Sequence, residues 1–166
     1  MNQYPWIEEA KKHLGVAEIP GVTHNPLILQ MWKAIKRGGI KTDEVPWCAA
    51  FVGFCLENVG IQSSRYESAK SYLTWGLGMA VPFYGCVVVF DGGPSRPGMG
   101  HVGFVVGKDK MGRLIVRGGN QGNKVSDAPF DRNRAIAFRW PPGIPFPPIE
   151  ELPIIDTNAA SSTHEG

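Results

Sequence analysis

Apolar residues follow two different periods along this chain, and the change falls near residue 80. Before it the spacing is helical. Trp6, Ala10 and Leu14 recur at i, i+4 and i+8 in the stretch Pro5 to Leu14, which Gly15 ends, while Glu8, Glu9, Lys11 and Lys12 fall on the face expected to meet water. Asn25 and Pro26 suit the cap and first turn of a second helix reaching Ile35. Its apolar stripe is either Leu29, Trp32 and Ile35 or Ile28, Met31 and Ile35, and Gly38-Gly39 ends it. A third helix opens at Pro46-Trp47-Cys48. Pro46 fits a first helical position, and Thr42, Asp43 and Glu44 supply capping oxygens and negative charge just upstream. Cys48, Phe51, Val52, Cys55, Leu56 and Val59 then mark one buried face, and Gly60 stops the helix. Ser68 caps a short fourth helix running to Trp75 and ended by Gly76.

Beyond residue 80 the apolar runs are short and separated by glycine-rich turns. Five candidate strands follow: Val87–Phe90, Val102–Val106, Leu114–Val116, Lys124–Ser126 and Ala135–Trp140, with Lys110-Met111-Gly112 turning between the second and third. Helices first and strands later predict an α+β domain, its N-terminal helices packed on one face of a five- to six-stranded antiparallel sheet. After Trp140 the composition shifts. Six prolines between Pro141 and Pro153, then a small polar stretch, predict an extended or disordered tail over 141–166 behind a domain of residues 1–140.

The chemistry gathers on three of these elements. Cys48 lies in the first turn of the third helix, where the positive end of the helix dipole favours a thiolate. The plain alternative is a small buried cysteine. His101 opens a strand in Gly100-His101-Val102-Gly103-Phe104, beside a Gly- and Pro-rich loop, whereas His13 falls in a solvated stretch, His24 precedes a helix and His164 lies in the tail. Asn120 follows the next strand in Arg117-Gly118-Gly119-Asn120-Gln121. Cysteine, histidine and amide in this order form a nucleophile, base and orienter set. Gln121 and Asn123 compete with Asn120 for the orienting role, and Asn120 also suits a turn of positive φ. Gly118 and Gly119 either make the turn or let backbone pass close to substrate. Trp75, Tyr84 and Trp140 are candidates for a groove or for the core, and Asp91 and Arg96 for substrate contact or a solvated loop.

Charge and cysteine count narrow the classes. The net charge of +2 hides an asymmetry: residues 1–140 hold all 17 Lys and Arg against 11 acids, and the remainder holds four acids alone. A body of +6 suits an anionic polymer. No basic run is interleaved with aromatics, which argues against nucleic acid. Three cysteines without a CxxC argue against a disulfide framework and a zinc site, so neither metal nor cofactor is expected. Cys48 and Cys55 are separated by about 10.5 Å of helix rise, too far to bridge. No apolar run is long enough for a membrane span, and the first residues do not read as a signal peptide. Synthesis in a reducing cytosol fits.

The helix carrying Trp-Cys-Ala-Ala-Phe-Val at 47–52, the strand carrying Gly-His-Val-Gly-Phe-Val at 100–105 and the Gly-Gly-Asn-Gln at 118–121 together resemble the CHAP amidohydrolase/peptidase family, within the wider papain-like group that includes NlpC-type cell-wall peptidases. Leu14 to Gly21 is similar to a Leu-Gly-Val-x-Glu-Ile-Pro-Gly stretch of small phage and bacterial members. The resemblance covers about residues 5–140. It implies a papain-like fold, Cys48 as nucleophile, His101 as general base and Asn120 as the residue that orients the imidazole. Trp47, Trp75, Gly119 and Gln121 are the expected substrate contacts. Two departures stand out: Cys86 replaces an expected Asp before the first strand, and Trp47 replaces the Asp that precedes the nucleophile in NlpC-type enzymes.

The implied activity is cleavage of an amide bond of peptidoglycan, at the muramoyl-L-alanine linkage or within a stem or cross-bridge peptide, by a monomeric endolysin-like or bacteriolytic enzyme. Such a protein would leave the cytoplasm through a holin or a secretion machine and act in the periplasm or on the wall, without inserting into the membrane. A thiol acyltransferase and a wall-binding module with a degenerate site are the competing readings. The first would release a new amide; the second would bind unchanged after Cys48→Ala, without turnover.

Overall fold

The computed structural model describes residues 4–19, 24–42, 46–94 and 98–156. Three α-helices, α1 (Pro5–Lys11), α2 (Pro26–Ala34) and α3 (Cys48–Glu57), precede a short 3-10 turn at Ala69–Thr74. Strands β1 (Leu77–Met79), β2 (Val87–Asp91), β3 (Gly100–Lys108), β4 (Leu114–Gly118), β5 (Ser126–Phe130) and β6 (Ala135–Trp140) follow, with a second 3-10 turn at Arg132–Arg134. They form one open antiparallel sheet of order β1-β6-β2-β3-β4-β5. The α+β class and the helices-then-sheet order expected from the sequence are both present.

The central element is α3. It packs on β3 and β4, and α1 and α2 pack on it in turn. The single buried face expected for α3 is therefore a correction: every residue from Cys48 to Leu56 is buried, because the helix has partners on all sides. Gly53 shows how tight this is, since a Cβ there would collide with Ile35 of the α2 end. The helix also starts later than its proline suggests. Pro46 lies outside it, and Trp47 is the N-cap, whose own side chain makes no cap bond. Asp43 and Glu44 fall outside the described residues, and the Thr42 carbonyl accepts from Trp32 Nε1 at 3.2 Å. The far end behaves as expected. Gly60 takes φ +83, Ile61 N–H donates to Leu56 O at 3.0 Å and Gly60 N–H to Glu57 O at 3.1 Å, which is the Schellman pattern.

Other boundaries moved for local reasons. α1 ends at Lys11, so Leu14 falls beyond it at 40 % exposure, and the buried residues are Trp6, Ile7 and Ala10. Glu9 and His13 are not solvated, contrary to expectation: the Glu9 carboxylate gathers His13, Lys12 and Asn58 at 2.9 to 3.2 Å. Of the two stripes offered for α2, the one through Ile28, Met31 and Ile35 is buried, together with Trp32. The fourth helix is 3-10 rather than α, capped by Ser68 Oγ accepting from Lys70 N–H. The strand expected at Lys124–Ser126 lies at Ser126–Phe130, and Lys124 instead bridges Ala17 in the segment after α1. Beyond β6 the chain to Asp156 folds back over the end of β3. Lys108 N–H donates to Pro153 O at 2.9 Å, and Ile155 N–H donates to Lys108 O at 2.8 Å.

Candidate active site

The local geometry explains how three distant segments meet. β2, β3 and β4 bring the head of β3 beside the end of β4, with Phe90 in register with His101 and Arg117 with Phe104. β4 ends at Gly118, Gly119 follows it, and both glycines are required by space. A Cβ at Gly119 would lie 2.6 Å from Phe51 Cβ and 2.7 Å from the Trp47 ring, so this backbone presses on the residue before Cys48 and on the one three positions after it in α3. A Cβ at Gly118 would collide with Gln121 Oε1 and lie 3.5 Å from His101 Nε2. The same dipeptide thus touches the α3 N-terminus on one side and the imidazole on the other.

Cys48 is the first residue of α3 and is 3 % exposed. Trp47, the N-cap, provides no capping oxygen, which leaves the first-turn N–H groups to other acceptors. Trp47 is itself buried, and its Nε1 donates to Glu18 Oε1 at 2.8 Å. Glu18 belongs to the Leu14–Gly21 stretch, so one role of that stretch is to fix the residue from which the Cys48 helix starts.

His101 is fully buried. Its Nε2 is 2.9 Å from Gln121 Oε1. The Gln121 amide cannot turn over, because its Nε2 donates to Val116 O at 3.0 Å and Ser126 O at 2.9 Å, both carbonyls. Oε1 therefore faces the imidazole and accepts, so His101 carries its hydrogen on Nε2 and the neutral ring presents Nδ1 as the basic nitrogen. Ser126 Oγ donates back to Gln121 O at 3.2 Å, closing the network.

Asn120 is 2 % exposed and holds φ +59. Among the described residues its Oδ1 is buried with no hydrogen-bond partner, so the amide bonded to His101 is that of Gln121. The left-handed conformations of Asn120, Gly122 and Asn123, with φ +59, +69 and +62, fold this turn tightly enough for Gln121 to reach back. Trp75 is nearly buried at the end of the 3-10 turn; its Nε1 donates to Gln62 O at 2.9 Å and its ring meets Tyr72. Trp140 is core and Tyr84 half-buried. Asp91 pairs with Lys70 at 3.0 Å, and Arg96 falls outside the described residues. Sequence reasoning missed Phe130, which stacks on His101, and the Ser126 and Val116 contacts that lock Gln121. Apolar spacing could mark Phe130 only as core.

The three thiols differ in setting. Burial pushes Cys86 up to about 12 and raises Cys55 well above its usual range, so both stay protonated and unreactive near neutral pH. Among the described residues no group of three or more His, Cys, Asp or Glu side chains stands together as a ligand set for a metal.

The model of the CHAP domain family matches residues 40–120. That segment is similar to a CHAP domain. CHAP domains are typically amidases or peptidases, and the substrate they imply is peptidoglycan. The matched segment holds Cys48, His101 and Asn120 and stops one residue before Gln121. No curated protein matches the chain significantly.

Proposed function

We propose that the protein is a thiol-dependent amidase or endopeptidase of peptidoglycan, with Cys48 as nucleophile, His101 as acid and base, and Gln121 as the residue that holds the imidazole. The observation that carries this reading is the locked Gln121 amide: it fixes His101 in the tautomer whose Nδ1 accepts a proton, and the Gly118-Gly119 backbone that packs near this imidazole also packs on Trp47, the residue before Cys48.

In this mechanism the Cys48 proton passes to His101 Nδ1. The thiolate attacks the amide carbonyl, and the oxygen that gains charge is met by backbone N–H groups of the α3 first turn. A single donor of this kind is worth about 10²–10³ in kcat. The imidazolium then protonates the departing amine, which adds about 10²–10⁴. Water, deprotonated at Nδ1, clears the thioester. Gln121 is neutral, so it orients the ring without the charge that a carboxylate would add.

The basic body favours an anionic wall, and the periplasm or wall is the proposed place of action. Purified Gram-negative and Gram-positive sacculi, incubated with wild type and with Cys48→Ala, test the reading by mass spectrometry of the soluble products. The wild type is expected to release new fragments, whose masses name the bond, and the variant none. Equal release by both proteins, or loss of activity to EDTA but not to iodoacetamide, overturns it.

A further inference from the structure

Three buried rings meet at the proposed base. His101 and Phe130 have centroids 5.2 Å apart and planes 12° apart. Phe90 lies 4.7 Å from Phe130 at 16° and 6.3 Å from His101 at 23°. Near-parallel rings at 5.2 Å cannot lie edge to edge in one plane, because their atoms would collide, so Phe130 and the imidazole are stacked with an offset. Phe90 and Phe130 are fully buried, so no solvent screens the contact.

We propose that Phe130 is a positioning residue for the thiol reaction: its π face fixes the plane of the His101 ring and favours the imidazolium over the neutral imidazole. The inference rests on the thiol reading above. When the proton leaves Cys48 Sγ and arrives at Nδ1, the products are a thiolate and a ring cation, and the negative face of Phe130 attracts that cation within the usual range of about 6 Å. Burial alone acts the other way, since it disfavours a charged imidazole. The stacked ring and the Gln121 oxygen both offset it. The charged side chains on the elements around β3 have partners of their own. Lys70 of the 3-10 turn pairs with Asp91 of β2 at 3.0 Å, Arg117 of β4 with Asp127 of β5 at 2.8 Å, and Glu57 of α3 with Arg65 at 2.9 Å. Arg134 stands 6.0 Å from the Phe90 ring. None of these pairs involves the ring at 130.

Single-site incorporation of phenylalanines with one, two and three ring fluorines at position 130 tests the proposal, because fluorine drains the π face and keeps the shape. Phe130→Leu, which removes the π face altogether, is the parallel substitution. The readouts are the rate of Cys48 alkylation by iodoacetamide, followed by peptide mass across pH, and the alkaline limb of activity. Alkylation at neutral pH is expected to fall stepwise through the series, by about threefold to tenfold at three fluorines, and the alkaline limb to move down by about half to one pH unit. A flat response in folded protein overturns the proposal and leaves Phe130 as packing alone. Failure of the underlying thiol reading looks different: wild-type Cys48 would then react no faster than an ordinary thiol and would ignore His101→Ala.

Discussion

The two ends of β3 are built in opposite ways. At its head, His101 is held by side chains: the Gln121 amide on one edge and the Phe130 ring on one face. At its tail, Lys108 is held by backbone, with its N–H and C=O both engaged by the returning segment at Pro153 and Ile155. Its Nζ adds a pair to the exposed Glu151 at 2.8 Å, a kind of contact worth little in water. A Cβ at Gly107 would lie 2.7 Å from Pro153 O, so the strand is shaped to receive that segment. The difference separates two kinds of failure. Changes at the head should cost turnover more than folding, and changes at the tail should cost folding more than turnover.

Gln121→Leu should break the head most severely. It removes the acceptor that sets the His101 tautomer, and we expect kcat to fall by about 10²-fold, on the scale of general acid–base catalysis. Val116 O and Ser126 O lose a donor at the same time, with a stability loss of about 1–3 kcal/mol. Gln121→Glu sharpens the point. A carboxylate still accepts from Nε2 but adds negative charge, so the alkaline limb of activity should move to higher pH. If Asn120→Ala lowers kcat and Gln121→Leu changes only the melting temperature, the orienting role belongs to Asn120.

The tail end predicts the reverse outcome. Ending the chain after Pro145 leaves the Trp140 Nε1 bonds to Ile144 O and Pro145 O intact, but removes both Lys108 backbone bonds and the buried Leu152. Two hydrogen bonds and one leucine correspond to about 2–4 kcal/mol. Thermal melts should show a lower Tm, and kcat per folded molecule should stay at the wild-type value. A loss of kcat without a fall in Tm would join the two ends of the strand functionally and defeat the comparison.

Gly119→Ala probes the junction between strand and helix. The added methyl would meet Phe51 and the Trp47 ring inside contact distance, so the α3 start must shift. The expected cost is about 1–3 kcal/mol of overpacking, with a smaller fall in kcat than for Gln121→Leu. Wild-type stability would mean that the α3 start yields freely, and that the Cys48 position is less fixed than the contacts indicate.

Much of this arrangement could be read from the residues. Helical spacing around Cys48 and the apolar runs of β2, β3 and β4 depend on period alone, and they were placed to within a few residues. β5 was displaced because Ser126-Asp127-Ala128-Pro129-Phe130 is an edge strand: it carries polar residues and tolerates Pro129, so it lacks an apolar signal. β1 has three residues, too few for any period. The partner of His101 was confined to Asn120, Gln121 or Asn123 and no further, because the choice turns on the left-handed φ of Asn120, a conformation the residue type permits but does not dictate. Phe130 was out of reach for another reason. Its contact with His101 joins strands that are not neighbours in the sheet, and nothing local encodes it.

The smallest effect concerns thiols away from the site, and it appears only in alkali. The ordinary value for Cys86 is 9.0, and burial pushes it up to about 12. Above pH 9 the unfolded chain releases this proton while the folded chain keeps it, so the unfolded state binds fewer protons and stability falls as pH rises. The contribution is complete below pH 9 and is lost progressively toward pH 12. Cys86→Ala removes it, and the decline of unfolding free energy between pH 9 and 11 should become shallower by about 1 kcal/mol per pH unit. Cys55 and Tyr72, both raised by burial, keep the remaining slope from vanishing. At pH 8 the same variant should alkylate at Cys48 as fast as wild type, because Cys86 is buried within the core and takes no part in the network around His101. An unchanged alkaline slope would mean that Cys86 ionises in the folded state as easily as in water, and that the core beneath β2 admits solvent.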